Sequence, residues 1–152
     1  MENKQGNRIY VAVKGVLLEN GRAFIVRRAD ILQDDPIGWW EFAGGTLEFS
    51  ESPEEALVRE YHEETGLDVT PERLLYVTSV QNNPDYQIII ITYLCRRSGG
   101  EVTLSDEHLA YQWAGEDELR NCLAKDIVEA LDQNDLWKIF NELTGKEHIN
   151  GK

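Results

Sequence analysis

Cysteine is scarce in this chain, and there is no long apolar run. Only two of the 152 residues are cysteine, Cys95 and Cys122. Their spacing fits neither a metal-binding nor a redox motif, which excludes a disulfide scaffold and favours a reducing compartment. The longest apolar stretch, from Ile88 to Cys95, is too short to cross a bilayer, and the N-terminal segment lacks the apolar core of a secretory signal. We therefore expect a cytoplasmic protein with no membrane partner.

Basic residues are also few, since 15 Lys and Arg face 28 Asp and Glu and the net charge is −13. This charge repels a phosphate backbone, so nucleic acid polymers are excluded as main partners. The acidity is concentrated: between Glu41 and Glu64 every acidic residue is a glutamate, against one basic residue, Arg59. Aromatic and aliphatic residues are interleaved with these glutamates, which indicates a folded segment.

The length predicts one domain over 1–152, with a core over about 8–145 and a polar tail at 146–152. Six segments have the composition of β-strands: 9–18, 23–28, 39–42, 73–80, 87–96 and 108–113. Hairpin or turn residues lie at 20–21 and 98–100. Three segments have helical character: 53–65, 116–121 and 126–143, the last with a break near Asp132. This pattern predicts an α/β fold with a mixed sheet and helices on both faces.

The strand and helix signals differ in strength. The run from Ile88 to Ile91 predicts a central strand covered on both faces. The helix over 53–65 has complete end signals, with Ser52 as N-cap, Glu55 as its capping-box partner and Gly66 just past the C-terminus. Its apolar stripe should dock on the sheet and consists of Ala56, Leu57 and Tyr61.

Three carboxylates share one turn of that helix, because Glu60, Glu63 and Glu64 are spaced i, i+3 and i+4. Two unit charges about 5 Å apart repel by roughly 3 kcal/mol at an effective dielectric near 20. Either a fully solvated surface or a divalent cation would offset this repulsion. Hard oxygen donors suit Mg²⁺, with Mn²⁺ as the alternative ion.

From Gly45 the chain reads GTLEFSESPEEALVREYHEETGL, which fits the pattern G-x5-E-x7-R-E-U-x-E-E-x-G-U, where U is aliphatic. The matched positions are Gly45, Glu51, Arg59, Glu60, Glu63, Glu64, Gly66 and Leu67. The segment resembles the box of the Nudix hydrolase family (MutT-like). The chain departs from the pattern at Tyr61, where an aliphatic residue is usual, at Ala43, where proline often stands, and at Ser50, where glycine often stands.

The resemblance implies an α/β/α sandwich and hydrolysis of a phosphoanhydride in a nucleoside diphosphate-linked substrate with a divalent metal. It implies that Glu60, Glu63 and Glu64 bind the metal, with the Gly45 carbonyl as a further ligand. Arg59 would pair with Glu51 and hold the loop against the helix. Gly44 and Gly66 would shape the loop backbone. The general base stays open among Glu64, Glu63 and Glu107, whereas His108 is expected to be structural or exposed.

Candidates for contacts with the substrate are Arg27, Trp39, Asn82 and Tyr86, although core packing, strand-end solvation and a turn are alternative roles for them. The expected substrate is a small nucleotide, foremost a nucleoside triphosphate such as an oxidised purine nucleotide. Hydrolysis of ADP-ribose or of a nucleotide sugar is the alternative within the family. A non-catalytic nucleotide sensor and a homodimer are also left open.

Overall fold

A mixed seven-stranded sheet organises the residues that the computed structural model describes, 6–29 and 40–141, with the side chain of Asn82 excepted. The first half contains β1 (Arg8–Glu19), β2 (Arg22–Arg28), β3 (Trp40–Glu41), β4 (Gly44–Thr46) and α1 (Pro53–Thr65). The second half contains β5 (Leu67–Asn83), β6 (Tyr86–Gly100), β7 (His108–Ala114), α2 (Glu116–Cys122) and α3 (Lys125–Gln133). Residues 137–141 are also helical.

The strand order is β3-β2-β1-β6-β5, and in addition β4 pairs with β1 and β7 pairs with β2. Only β1 and β6 run parallel among these pairs, from Arg8 opposite Tyr86 to Leu17 opposite Cys95. One parallel ladder within an otherwise antiparallel sheet makes the sheet mixed, as predicted.

Side chains alternate between the two faces of the central strands and build two separate cores. On one face Val13 and Phe24 pack with Leu57 of α1. On the other face Val16 packs with residues of α2 and α3, including Leu119. Helices therefore cover both faces, which confirms the predicted α/β class with helices on either side of the sheet.

Helix α1 has the predicted bounds, the predicted N-cap and the predicted C-terminal glycine, whereas the hydrogen bonds of its described residues do not include the capping-box bond from the Ser52 N–H to the Glu55 side chain. The Ser52 hydroxyl accepts a hydrogen bond from the Glu55 N–H at 3.1 Å, and Gly66 ends the helix with φ +77°. The predicted apolar stripe is fully buried, and the Tyr61 hydroxyl donates to the Gly15 carbonyl at 3.1 Å. The larger side chain at position 61 is therefore accommodated in the core.

The predicted start of β5 and end of β6 are wrong. Strand β5 begins at Leu67, directly after the helix, and not at Arg73. Strand β6 continues to Gly100, so the predicted turn at 98–100 belongs to the ladder, where Leu67 lies opposite Gly100. Pairing between the two strands overrides the local turn signal, and several register shifts along this ladder accommodate residues such as Pro71.

Two further predictions hold in part. Strand β6 is central, but Ile88 to Ile91 are only half-buried, and Ile88 and Ile90 line a cavity over one face of the sheet. The C-terminal helical segment is interrupted at 134–136, just after Asp132, and the predicted tail at 146–152 lies outside the described residues. Within 6–29 and 40–141, no helix has the length and apolar character needed to span a membrane.

Candidate active site

The glycine pair that follows β3 brings two carboxylates of α1 together. The Gly44 N–H donates to Glu64 Oε2 at 3.2 Å. The Glu60 carboxylate lies directly against Gly45, where a Cβ would overlap with it. A side chain on Gly45 would therefore displace Glu60, so the close approach depends on glycine at this position.

Arg59 connects the loop before α1 to the acidic face of the helix. Its Nε donates to Glu51 Oε2 at 2.6 Å and its Nη2 to Glu51 Oε1 at 2.8 Å, a bidentate pair. Nη2 also reaches the Thr46 carbonyl at 3.2 Å. Nη1 donates to Glu60 Oε1 at 2.9 Å and to Glu63 Oε2 at 3.1 Å. The guanidinium thus ties the loop to the helix and neutralises part of the acidic cluster.

The donor set fits a hard divalent cation, although no group of three acidic, His or Cys side chains converges on one point in the described part of the chain. Arg59 contacts both Glu60 and Glu63. Glu64 lies at the same glycine pair as Glu60, and all three side chains offer the carboxylate oxygen atoms that Mg²⁺ prefers.

Burial raises the pKa of Glu64 to about 7, and the charge of Glu60 adds to this effect. Lys14, the Gly44 N–H and His108 act in the opposite direction and lower it. The ionised form of Glu64 is therefore costly in the absence of a cation. A bound dication would favour the carboxylate that metal coordination requires.

Lys14, Glu41 and His108 form a network that the sequence analysis did not identify as a site. Lys14 Nζ lies 3.5 Å from Glu41 Oε2, and His108 Nε2 lies 3.2 Å from Glu41 Oε1. Burial raises the pKa of Glu41, but Lys14, His108 and Arg28 outweigh burial and the pKa is lowered. His108 is buried, one of its two expected placements. The sequence feature that could have indicated this network is Lys14, the one charged residue between Ile9 and Leu18.

The segment 101–107 places Glu107 near the acidic helix. Its Thr103 N–H donates to the Thr65 carbonyl at 2.7 Å, and its Ser105 N–H donates to the Glu64 carbonyl at 2.9 Å. The Ala29 N–H donates to the Glu107 carbonyl at 2.9 Å. These hydrogen bonds attach the segment to the end of α1 and to the end of β2, and Glu107 lines a cavity that lies against the sheet.

A cavity of about 890 Å³ lies against the sheet, with α3 contributing to its wall. Rows of residues across β1, β6 and β5 line its sheet side. One row runs from Lys14 to Thr92 and Tyr76, and a more apolar part contains Ile88 and Val80. Further wall residues come from the site and from α3: Arg28, Glu41, Gly45, Glu107, His108, Asp126 and Ile127.

The candidates for substrate contact are placed differently from one another. Arg27 is not among the described residues that line the cavity, whereas Arg28 is, and a register shift between them separates their positions. Tyr86 packs edge-on against Tyr10, with ring centroids 5.7 Å apart, and does not line the cavity. Trp39 lies outside the described residues, as does the side chain of Asn82.

Comparisons with known proteins identify the family. The family model of the NUDIX domain matches residues 7–134. The chain is 37% identical over 127 residues to the MutT-like protein of Streptomyces ambofaciens, which covers 80% of this chain and 77% of the relative. It is 36% identical over 96 residues to the 8-oxo-dGTP diphosphatase of Proteus vulgaris, covering 63% of this chain and 83% of the relative.

A solved structure supports the same assignment. The crystal structure of the MutT NUDIX hydrolase from Burkholderia pseudomallei matches with a TM-score of 0.70 and 25% sequence identity, covering 84% of this chain and 98% of that one. The sequence match and the structural match therefore point to the same family. The chain belongs to the Nudix family and is a hydrolase that acts on phosphoanhydride bonds.

Proposed function

We propose that the chain is a Mg²⁺-dependent pyrophosphohydrolase of a nucleoside triphosphate, such as an oxidised purine nucleotide. The observation that carries this proposal is the cavity of about 890 Å³ whose wall includes Gly45, the residue against which Glu60 lies. Small-molecule sites typically measure about 300–1,000 Å³. The named activity of the Proteus vulgaris relative supports the substrate class.

Glu60, Glu63 and Glu64 would hold the ion, together with the Gly45 carbonyl, and Mn²⁺ would serve as a substitute. When bound, the ion neutralises the phosphate chain and stabilises negative charge on the departing phosphate. Arg59 keeps the loop in place through its two hydrogen bonds to Glu51. The apolar part of the cavity would receive the base. We propose that residues 1–152 form this single domain, with its core over about 8–145.

The attacking water must lose a proton to a carboxylate within reach. Among the three candidates, Glu107 has the most suitable surroundings. Glu63 is directed to Arg59, and Glu64 accepts a hydrogen bond from Gly44. Glu107 lines the cavity and is exposed, so it can approach a bound substrate. We therefore propose Glu107 as the general base.

The test is incubation with a nucleotide panel that contains canonical and oxidised nucleoside triphosphates, ADP-ribose and a nucleotide sugar, with Mg²⁺ or with EDTA. Chromatography should show a nucleoside monophosphate and pyrophosphate from a triphosphate, and EDTA should abolish the reaction. Release of two monophosphates from ADP-ribose or from the nucleotide sugar would instead identify that compound as the substrate. Absence of any metal-dependent cleavage would contradict the proposal, and tight binding without turnover would favour a sensor.

A further inference from the structure

Lys14 lies in the middle of the sheet, where lysine is uncommon. On its two sides β1 pairs with β4 and β6, and Lys14 stands opposite Gly44 and Thr92. Only 22% of its side chain is exposed, and it lines the cavity. Placing an ammonium group here costs solvation free energy, which calls for compensation by a partner or a ligand.

Glu41 supplies only part of that compensation. Its Oε2 lies 3.5 Å from Lys14 Nζ, longer than the typical charge-assisted hydrogen bond of about 2.7–2.9 Å. It is the one hydrogen-bonding partner that the described residues offer to this ammonium. An ammonium has three N–H donors, so two of them are not used by the described residues and are available to a ligand in the cavity.

The network behind Lys14 restricts its position. Glu41 also interacts through Oε1 with His108 Nε2 at 3.2 Å, and the His108 side chain is only 3% exposed. Glu41 is therefore held between a buried ring and the lysine. On the other side, the charge of Lys14 acts on Glu64, which bonds to the neighbouring Gly44. Lys14 is thus a cation that contacts Glu41 and whose charge reaches Glu64 of the box.

The phosphate groups of a nucleotide that approaches these carboxylates are repelled, because the whole protein carries a net charge of −13. A cation on the cavity wall offsets this repulsion and offers directed donors. Lys14 combines a position on the cavity wall with N–H donors that the described residues leave unused. We propose that Lys14 binds a phosphate oxygen of the nucleotide through Nζ, while Glu41 and His108 hold it in place. This deepens the proposed function, since it assigns the phosphate subsite of the same cavity.

The test is calorimetric titration of inorganic pyrophosphate, in the presence of Mg²⁺, into the wild type and Lys14→Met. Loss of a charge-assisted hydrogen bond should weaken binding roughly tenfold to a hundredfold. Lys138→Met is the matched control, because Lys138 is 60% exposed and pairs with Asp135 away from the cavity. This control should bind pyrophosphate like the wild type. Lys14→Arg, which keeps the charge, should retain most of the affinity.

The double variant Lys14→Met/Glu41→Gln separates a direct contact from an indirect one. In Lys14→Met alone, Glu41 keeps a charge that repels pyrophosphate. If Lys14 contacts phosphate, removing that charge as well leaves binding clearly weaker than in the wild type. Full recovery in the double variant would overturn the proposal, because Lys14 would then act only by neutralising Glu41. Circular dichroism melts verify folding, and Lys14→Gln replaces the methionine variant if that one does not fold.

The outcome for Lys14 can be distinguished from the outcome for the proposed function. If the wild type binds pyrophosphate, Lys14→Met does not, and no nucleotide is cleaved, the Lys14 inference stands and the hydrolase proposal fails. If nucleotides are cleaved and Lys14→Met retains wild-type KM and pyrophosphate affinity, only the Lys14 inference fails. A wild type that binds no pyrophosphate also overturns the Lys14 inference.

Discussion

Gly45 and Glu60 are in direct contact: the carboxylate of Glu60 occupies the space in which a Cβ of residue 45 would lie. The contact involves the far end of a flexible side chain, so Glu60 can move away at low cost. A Cβ added to Gly44 would instead overlap with the Val13 carbonyl, which belongs to the backbone and cannot move easily. Two adjacent glycines are therefore required for different reasons.

Gly45→Ala should displace Glu60 and lower metal-dependent kcat/KM by roughly tenfold or more, because small misplacements of site groups are costly. The free energy of unfolding should change by less than about 1 kcal/mol. Urea unfolding and steady-state kinetics measure the two effects. Gly44→Ala should behave differently and lose stability, since its φ of +154° and the backbone overlap strain any side chain. Equal losses of stability in both variants would contradict this assignment.

Glu51→Gln should change the acid stability of the protein. The hydrogen bond from Arg59 lowers the pKa of Glu51 from 4.5 to about 2. A lowered pKa in the folded state adds stability above the unfolded pKa, and this contribution is lost as the pH falls from 4.5 towards 2. The melting temperature of Glu51→Gln should therefore depend less on pH in this window. Glu48→Gln is the control, since Glu48 is 67% exposed and lies 3.7 Å from Arg59.

Glu64→Gln should separate activity from stability. Burial disfavours the carboxylate charge of Glu64, so a neutral amide should leave the melting temperature of the metal-free protein unchanged or higher. Metal-dependent turnover should fall by roughly a hundredfold or more. Glu55→Gln, an exposed change on the same helix, should retain both properties. Retained turnover in Glu64→Gln would remove Glu64 from the proposed ligand set.

Leu57→Ala should lower the stability of the protein, in contrast to Glu64→Gln. Leu57 is fully buried between α1 and the sheet, so its truncation should leave a cavity and cost about 2–5 kcal/mol of unfolding free energy. Val58→Ala, next to it and 38% exposed, should change stability by no more than about 0.5 kcal/mol. Denaturant titrations give both values, and similar losses in the two variants would argue against the docking face of α1.

The sequence by itself determined helix α1 and the grouping of its glutamates. The N-cap and the C-terminal glycine act over three or four residues, and the spacing of Glu60, Glu63 and Glu64 fixes their common face. These features depend on local contacts, which neighbouring residues in the chain encode directly. The α/β class followed from the order of strand and helix signals for a similar reason.

Tertiary structure decided the extent of β5 and β6 and the composition of the cavity. Lys14 and His108 both contact Glu41, which lies 27 residues from Lys14 and 67 residues from His108 in the chain. No local pattern records such a contact, because it arises only when β1, β3 and β7 take their places in the sheet. The same applies to Arg28, which a register shift rather than sequence periodicity places on the cavity wall. The sequence therefore determined helix α1 and its glutamates, and the long-range strand pairing determined what surrounds them.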